Sequence, residues 1–213
     1  MEPDYIIWKI TESEEELRAG LSHPELYADK VKNLKPGSRR MLEVLAVRRA
    51  LKELFYGKEK EVLYTSDGAP YLEGGPHISI SHTNGYAAVI ASDKAVGIDI
   101  ERLGTRVEKV VSHFLKPEEL VILELQSQPD SQPSSVCTQL PVRNLTLGLH
   151  LAWSAKEAAY KVLGKDYYDL RQRTSVLHIN WATNILLLSV DDKPQPLVVH
   201  FDVTPDYVLT IVL

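Results

Sequence analysis

Two stretches of helical hydrophobic periodicity, each followed by β-rich segments, constrain the fold of this chain more than any other feature. Apolar residues repeat at helical spacing over residues 39–55, which Gly57 ends, and over residues 145–163, which Gly164 ends. The element order predicts an α+β fold of two similar α/β halves, each a helix followed by an antiparallel meander. We expect the halves to be related by pseudo-twofold symmetry, with an active-site cleft between them.

The segments after the first helix predict a β-meander. Residues 77–82 alternate, Asn84-Gly85 is a strong hairpin turn, and residues 86–92 return as a β-rich segment. Asp93-Lys94 then leads into a strand over residues 96–101. Further strands are predicted at residues 5–10, 176–181, 185–190, 197–203 and 207–213.

Two-residue turns would fix the register of this meander. Antiparallel counting then places Ser81 opposite Ala88, and Ala88 opposite Asp99. The same register points His82 to the other face of the sheet. A twist or bulge at the strand end could redirect its ring, so the facing of His82 is left open.

A segment rich in Gln, Ser and Pro separates the two halves. Residues 126–141 have few apolar residues and few good helix formers, which predicts a mobile linker or lid. The predicted domains are therefore an N-terminal half at residues 1–125 and a C-terminal half at residues 142–213.

Composition narrows the class of protein. The 213 residues carry a formal net charge of −5, which argues against binding to nucleic acid or to an anionic membrane. The single cysteine, Cys137, cannot form an internal disulfide, and no apolar run reaches the length of a membrane helix. The N-terminus lacks the pattern of a secretory signal. We expect a soluble cytoplasmic protein.

Acidic residues mark a candidate site. Alternation over residues 96–101 buries Ile98 and Ile100 and sends Asp99 and Glu101 out on the opposite face. Helical spacing places Trp153, Glu157 and Lys161 one above another on one face of the second helix. The three carboxylates could serve one metal ion. Alternatively, the strand acids form a solvated face, and Glu157 and Lys161 form an ordinary surface ion pair worth about 0.2–0.5 kcal/mol.

The two acidic motifs together resemble the paired signature of the 4'-phosphopantetheinyl transferases, in particular the longer, monomeric, surfactin-type branch. The motifs are VGIDIE at residues 96–101 and WSAKEAAYK at residues 153–161. The likeness extends to RRMLEVLAVR at 39–48, ISHT at 80–83 and HFLKPEE at 113–119. It thus covers roughly residues 36–163 in chain order.

The resemblance implies an activity and a set of site residues. Such enzymes transfer the phosphopantetheine arm of coenzyme A to a serine of an apo carrier protein and release adenosine 3',5'-bisphosphate. It implies that Asp99, Glu101 and Glu157 bind Mg²⁺ together with the pyrophosphate, and that Glu157 is the catalytic base. Lys161 would keep Glu157 ionised and offset charge on the pyrophosphate. A chain holding both halves is expected to act as a monomer.

The resemblance also assigns coenzyme contacts. Arg39 and His82 match positions that contact the phosphates of coenzyme A, with the 3'-phosphate favoured. One position departs from the family: residues 68–70 read Gly-Ala-Pro where many members have Gly-Lys-Pro. The missing charge at Ala69 is expected to affect coenzyme binding and to leave the metal site intact. Three lysines could compensate: Lys30, Lys32 and Lys35.

Several alternatives remain open at this stage. The chain could be a coenzyme A-binding module without transferase activity, or a metal-dependent phosphohydrolase that uses the same acids. Arg48 is interpreted as a solvated residue at the helix edge, and Trp153 as a packing residue that positions its helix. Glu119 is either an acid behind the metal ligands or a charge at a helix N-terminus. Residues 110–125 and the linker are the candidate carrier-docking surface.

Overall fold

A computed structural model of the chain describes residues 3–126 and 144–213. Of the predicted linker, only Gln126 falls within the described residues. The chain divides into two compact units, residues 1–100 with Leu213, and residues 101–212. The predicted first half extended to residue 125, but residues 101–126 belong to the second unit because the helices they form pack on elements of that unit.

The first unit combines a long helix with small antiparallel sheets. Its helices are α1 (Glu14–Ala19), α2 (Ala28–Val31) and α3 (Arg39–Leu54), with a 3-10 helix at Pro24–Tyr27. Its strands are β1 (Asp4–Lys9), β2 (Leu63–Tyr64), β3 (Pro70–Tyr71), β4 (His77–Thr83) and β5 (Tyr86–Ser92). Strand β6 (Gly97–Arg102) begins in this unit and ends in the second.

Helix α3 forms where the periodicity predicted it. Ser38 caps its first turn by accepting a hydrogen bond from the Met41 amide. The helix ends before Tyr56 and Gly57, which both have positive φ angles. Its apolar face, which includes Leu45 and Leu51, packs on β1 and β5 to form the core of the unit.

The β4–β5 hairpin confirms the first part of the predicted register. Ser81 lies opposite Ala88 across the Asn84-Gly85 turn. The predicted third strand of the meander is wrong, because Ala88 pairs on its other side with Ile7 of β1 and not with Asp99. The sheet order is therefore β1-β5-β4. The residues of a turn specify only the pairing of the two strands that the turn connects. Which strand pairs with the other edge of β5 depends on packing between segments that are far apart in the sequence.

Side-chain hydroxyls join β6 to β4 in place of a backbone ladder. Ser79 Oγ accepts a hydrogen bond from the Ile98 amide at 3.1 Å, and Ser81 Oγ accepts one from the Ile100 amide at 3.3 Å. Ile98 and Ile100 are fully buried, as the alternation predicted. The two serines thus fix how this half of β6 lies against the hairpin.

The second unit contains one long buried helix and an antiparallel sheet. Its helices are α4 (Val111–Phe114), α5 (Pro117–Gln126), α6 (Leu145–Leu163) and α7 (Leu170–Arg173), with 3-10 helices at Thr105–Val110 and Lys165–Tyr167. Its strands are β7 (Thr174–Asn180), β8 (Ile185–Val190), β9 (Leu197–Val203) and β10 (Tyr207–Val212). The sheet order is β6-β10-β9-β8-β7, to which this unit contributes the last two residues of β6.

Helix α6 has the bounds that the sequence predicted. Asn144 caps its start by accepting a hydrogen bond from the Leu147 amide at 2.9 Å, and Gly164, with φ of 85°, ends it. One side of α6 packs on β10 and α5 in the core of the unit. The α+β class is confirmed, while the pseudo-twofold relation remains a prediction.

Candidate active site

The polar face of α6 is the feature that the sequence located best. Trp153, Glu157 and Lys161 are each half-buried, while the residues around Glu157 from Ser154 to Ala159 are otherwise fully buried. One turn separates each of the three from the next. The helix therefore presents an aromatic ring, an acid and a base in one row, as predicted.

Trp153 connects this row to the strand motif. Its Nε1 donates a hydrogen bond to Glu101 Oε1 at 2.9 Å. Its ring also packs edge-on against Phe114, with 5.1 Å between ring centroids. The predicted packing role of Trp153 is confirmed, and the hydrogen bond adds a second role, because it orients one of the predicted metal ligands.

Asp99 is buried, which excludes for this residue the alternative of a solvated strand face. It is 5% exposed, and its Oδ1 accepts a hydrogen bond from Ser81 Oγ at 2.8 Å. A buried carboxylate is costly unless it is hydrogen-bonded or paired, which is why Ser81 stands beside it. Sequence reasoning did not single out Ser81, although its place in the alternating run 77–82 put it on the face opposite to His82.

A buried ion pair lies beside this row on α6. Lys156 Nζ is 2.8 Å from Glu119 Oε1 and donates hydrogen bonds to the carbonyls of Phe114 and Thr174. Burial lowers the pKa of Lys156 below its ordinary value, and the Glu119 carboxylate offsets part of that shift. Lys156 thereby ties α6 to the elements beneath it, next in sequence to Glu157.

Glu119 acts at the N-terminus of α5, which is one of the two roles that the sequence left open, and it makes further contacts in the second unit. It accepts a hydrogen bond from the Lys116 amide at the start of α5, which supports the helix N-terminal interpretation. It also accepts one from the Val176 amide in β7 and pairs with Lys156. Glu119 is therefore a fully buried structural centre of the second unit.

A cationic cavity of about 190 Å³ lies in the first unit. It opens beside the start of α3 and the end of β4. Its chemically distinctive lining residues are Lys30, Arg40, Arg48, Tyr64 and His82. Two arginines and a lysine around one small cavity favour an anionic ligand.

The two arginines at the start of α3 are placed differently. Arg40 lines the cavity, and its Nη1 contacts Nε2 of His82. The Arg39 side chain is 69% exposed and pairs with Glu43. The sequence singled out Arg39 and missed Arg40, because adjacent arginines in a first helical turn give no signal of which one faces the sheet. His82 points toward α3, which settles its facing.

The interpretation of Arg48 as a solvated residue is wrong. It is only 6% exposed, and its Nε and Nη1 atoms are buried without a hydrogen-bond partner among the described residues. Burial lowers the pKa of Arg48, while Tyr64 and Glu61 act in the opposite direction. The available signal was the three-residue spacing between Leu45, Arg48 and Leu51, which places Arg48 on the buried stripe of α3.

One of the three lysines that could compensate for Ala69 lies at the cavity beside it. Gly68 and Pro70, on either side of Ala69, line the cavity, and so does Lys30. Lys30 Nζ lies 3.2 Å from the centre of the Tyr64 ring. Burial, and then the charges of Arg48 and Arg40, lower the pKa of Lys30. Of the three lysines, Lys30 is the one that contributes to this cavity.

The predicted metal site is not tested by this structure. Among the described residues, no group of three or more His, Cys, Asp or Glu side chains is found that could hold a metal ion. The assignment of Asp99, Glu101 and Glu157 as ligands therefore stays a prediction. Within the same residues, no helix is long and apolar enough to cross a membrane.

Comparison with known proteins establishes the family. The family model described as 4'-phosphopantetheinyl transferase superfamily matches residues 95–212, more than half of the chain, and the chain belongs to this superfamily. It is similar to the 4'-phosphopantetheinyl transferase gsp of Aneurinibacillus migulanus, with 28% identity over 138 residues. That alignment covers 64% of this chain and 52% of the relative, so the chain spans about half the length of the curated relative it matches. The predicted resemblance to the superfamily is confirmed, and the relative supports the suspected surfactin-type branch.

Proposed function

We propose that this protein transfers the 4'-phosphopantetheine arm of coenzyme A to a serine of an apo acyl or peptidyl carrier protein, with adenosine 3',5'-bisphosphate as the second product. The observation that carries the proposal is the hydrogen bond from Trp153 to Glu101. It joins the two acidic motifs, both of which lie within the residues that match the family model.

The carboxylates suit a hard divalent cation. Asp99, Glu101 and Glu157 supply only oxygen donors, which Mg²⁺ prefers, and hydrogen bonds from Ser81 and Trp153 already orient the first two. These three residues would hold Mg²⁺, which when bound would neutralise charge on the pyrophosphate.

The α6 row supplies the proton chemistry of the proposal. Glu157 accepts the proton of the carrier serine as the serine oxygen bonds to the phosphorus on the pantetheine side of the pyrophosphate. The bond from that phosphorus to the bridging oxygen breaks, and the bisphosphate leaves with the bond's electron pair. Lys161, one turn further along α6, offsets the negative charge that builds up on the departing group.

The cationic cavity of the first unit is the proposed subsite for the coenzyme's 3'-phosphate. Arg40, Arg48 and Lys30 supply charge, and Arg40 and Arg48 also carry planar guanidinium groups that can donate two hydrogen bonds to one phosphate. Burying Arg48 without partners for two of its nitrogens costs stability, which a bound phosphate would recover. Lys30 supplies positive charge near Ala69. Arg39 remains a predicted contact at the rim.

The carrier protein is proposed to dock near α5. Val121 and Leu125 are exposed one turn apart on that helix, and Val110 is exposed nearby in sequence. Exposed apolar side chains at helical spacing suit the packing of a partner helix. A Val121→Asp variant should raise the KM for the carrier and leave the KM for coenzyme A unchanged; an unchanged carrier KM would exclude this surface.

The decisive experiment measures transfer directly. The protein is incubated with coenzyme A, Mg²⁺ and an apo carrier protein, and the carrier's intact mass is then determined. A gain equal to the phosphopantetheine arm is expected. Coenzyme binding without a mass gain would instead support a binding module without transferase activity, which the substitution at Ala69 favours. Bisphosphate release without a carrier would support hydrolysis.

The same proposal extends to the state of the protein. We expect a monomer, because one chain contains both acidic motifs. We expect it in the cytoplasm, because a single cysteine is typical of a reducing compartment. Light scattering after size-exclusion chromatography tests the first point, and cell fractionation tests the second.

A further inference from the structure

A carboxylate is buried behind the cations of the proposed phosphate subsite. Glu43 on α3 is 2% exposed, although it lies in a region whose charge otherwise favours anions. Its Oε1 is 3.0 Å from Arg39 Nε, and its Oε2 is 3.5 Å from Arg40 Nη1 and 3.2 Å from His82 Nδ1. Three potentially cationic side chains therefore converge on one acid.

Glu43 determines how the His82 ring is used. A carboxylate can only accept hydrogen bonds, so His82 Nδ1 must carry a hydrogen to donate to Glu43 Oε2. The other ring nitrogen, Nε2, is then the atom that meets Arg40. His82 lines the cavity in this orientation. The acid thus fixes both the ring's orientation and the distribution of its hydrogens.

Glu43 also restrains Arg40. A long arginine side chain at a helix surface loses conformational freedom when it binds a ligand, and a partner that already holds it reduces that loss. Arg40 is held by Glu43 at one side and by His82 at the other. Glu43 itself is not among the described residues that line the cavity, so it acts from behind the two side chains that do.

We propose that Glu43 is the positioning residue of the coenzyme's 3'-phosphate subsite, acting on that phosphate only through Arg40 and His82. This inference rests on the proposed function, which assigns the cavity to coenzyme A. It makes Glu43 an acid that improves the binding of an anion.

Neutralising Glu43 should change the affinity for the anion in opposite directions, depending on whether Glu43 positions Arg40 and His82 or does not. A buried carboxylate near an anion site repels the anion, so its neutralisation should strengthen binding if Glu43 does nothing else. If Glu43 orients Arg40 and His82, neutralisation should weaken binding instead. Glu43→Gln has nearly the same volume, removes the charge and replaces one acceptor oxygen by a donor NH₂ group.

The experiment compares coenzyme A with 3'-dephospho-coenzyme A, which lacks the phosphate in question. Calorimetric titration of the full chain without carrier measures both dissociation constants for the wild type, Glu43→Gln and Glu43→Asp. Glu43→Gln should weaken coenzyme A binding about tenfold and change dephospho-coenzyme binding less than about twofold. Glu43→Asp keeps the charge but shortens its reach, so its loss should be smaller and confined to coenzyme A.

Glu59 provides a matched control within the same unit. Its carboxylate is also buried and pairs with Lys52 at 2.9 Å, but it does not line the cationic cavity. Glu59→Gln removes the same charge and should leave the ratio of the two dissociation constants unchanged. Thermal melting of each variant verifies that folded proteins are compared.

The results that would contradict the positioning role of Glu43 differ from those that would contradict the proposed transferase function. Unchanged or tighter coenzyme A binding by Glu43→Gln overturns the positioning role, and so does an equal loss for both ligands. A wild type that fails to distinguish the two ligands overturns it as well. A wild type that distinguishes them but transfers nothing to a carrier refutes the transferase proposal alone. In the transfer assay, Glu43→Gln should raise the KM for coenzyme A and leave kcat within about twofold.

Discussion

Trp153 donates a hydrogen bond to Glu101 at 2.9 Å, and this bond joins a strand motif to a helix motif that lies about fifty residues away in the sequence. The indole also packs on Phe114. One residue thus aligns an acid on β6 with the face of α6 that carries Glu157 a turn later. In this chain, a hydrogen bond directly joins the two sequence motifs that resemble the superfamily's signature.

Replacing Trp153 with Phe should separate orientation from packing. The variant keeps an aromatic ring against Phe114 but loses the donor to Glu101, so turnover should fall about tenfold while the melting temperature changes little. Trp181→Phe is the control, since Trp181 also donates through Nε1, to the Gln126 carbonyl, and packs edge-on against Phe201. Equal turnover in the two variants would contradict the assigned role.

Replacing Glu157 with Gln should abolish most of the transfer. The substitution removes a ligand charge and the proposed base, and loss of a general base typically costs about 10²–10⁴-fold in rate. Coenzyme binding at the cavity should survive, as measured by calorimetry. Glu53→Gln, the same change at an exposed residue near the end of α3, serves as the control. Near-normal turnover by Glu157→Gln would refute the role of Glu157.

Replacing Arg48 with Met should separate stability from binding. Methionine fills a similar volume and avoids burying a charge, so the free energy of unfolding of the ligand-free protein should stay equal or increase. Coenzyme A affinity should fall about tenfold, because the cavity loses a cation. Denaturant unfolding and calorimetry measure the two quantities. A large loss of stability with unchanged affinity would show that Arg48 is purely structural.

Replacing Lys156 with Met should test the buried ion pair. The single change leaves the Glu119 charge buried and is expected to cost about 3–5 kcal/mol in the free energy of unfolding. The double variant with Glu119→Gln removes both charges and should recover part of that loss. Urea unfolding of the wild type, the two single variants and the double variant gives the coupling energy. Additive losses would mean that the two side chains do not stabilise each other.

The sequence predicted the long elements because their signals are local. The predicted bounds of α6 follow from the apolar stripe and Gly164, and those bounds are observed without change. The register of β4 and β5 follows from the Asn84-Gly85 turn. The pairing of β1 with β5 depends on packing between distant segments, and no local pattern announces it.

The site was predicted unevenly for a similar reason. Helical spacing is enough to align Glu157 and Lys161 on α6. Whether a polar residue is buried depends on what the neighbouring elements offer it. Arg48 was therefore expected at the surface and is buried, and the burial of Asp99 was not predicted either. Glu43 gave no signal, since one acid among arginines at a helix start normally indicates a surface ion pair.

The hydroxyl contacts between β4 and β6 have a consequence for how such a protein can change. Ser81 Oγ contacts both the Ile100 amide and Asp99. One side chain therefore determines both the distance between β4 and β6 and the orientation of the Asp99 carboxylate. Exchanging that serine would alter both while every main-chain bond of the hairpin is kept. Faster deuterium uptake at Ile100 in a Ser81→Ala variant would report this loosening, and an unchanged rate would exclude it. Small mutational steps at this serine can thus change the surroundings of Asp99 and leave the architecture intact.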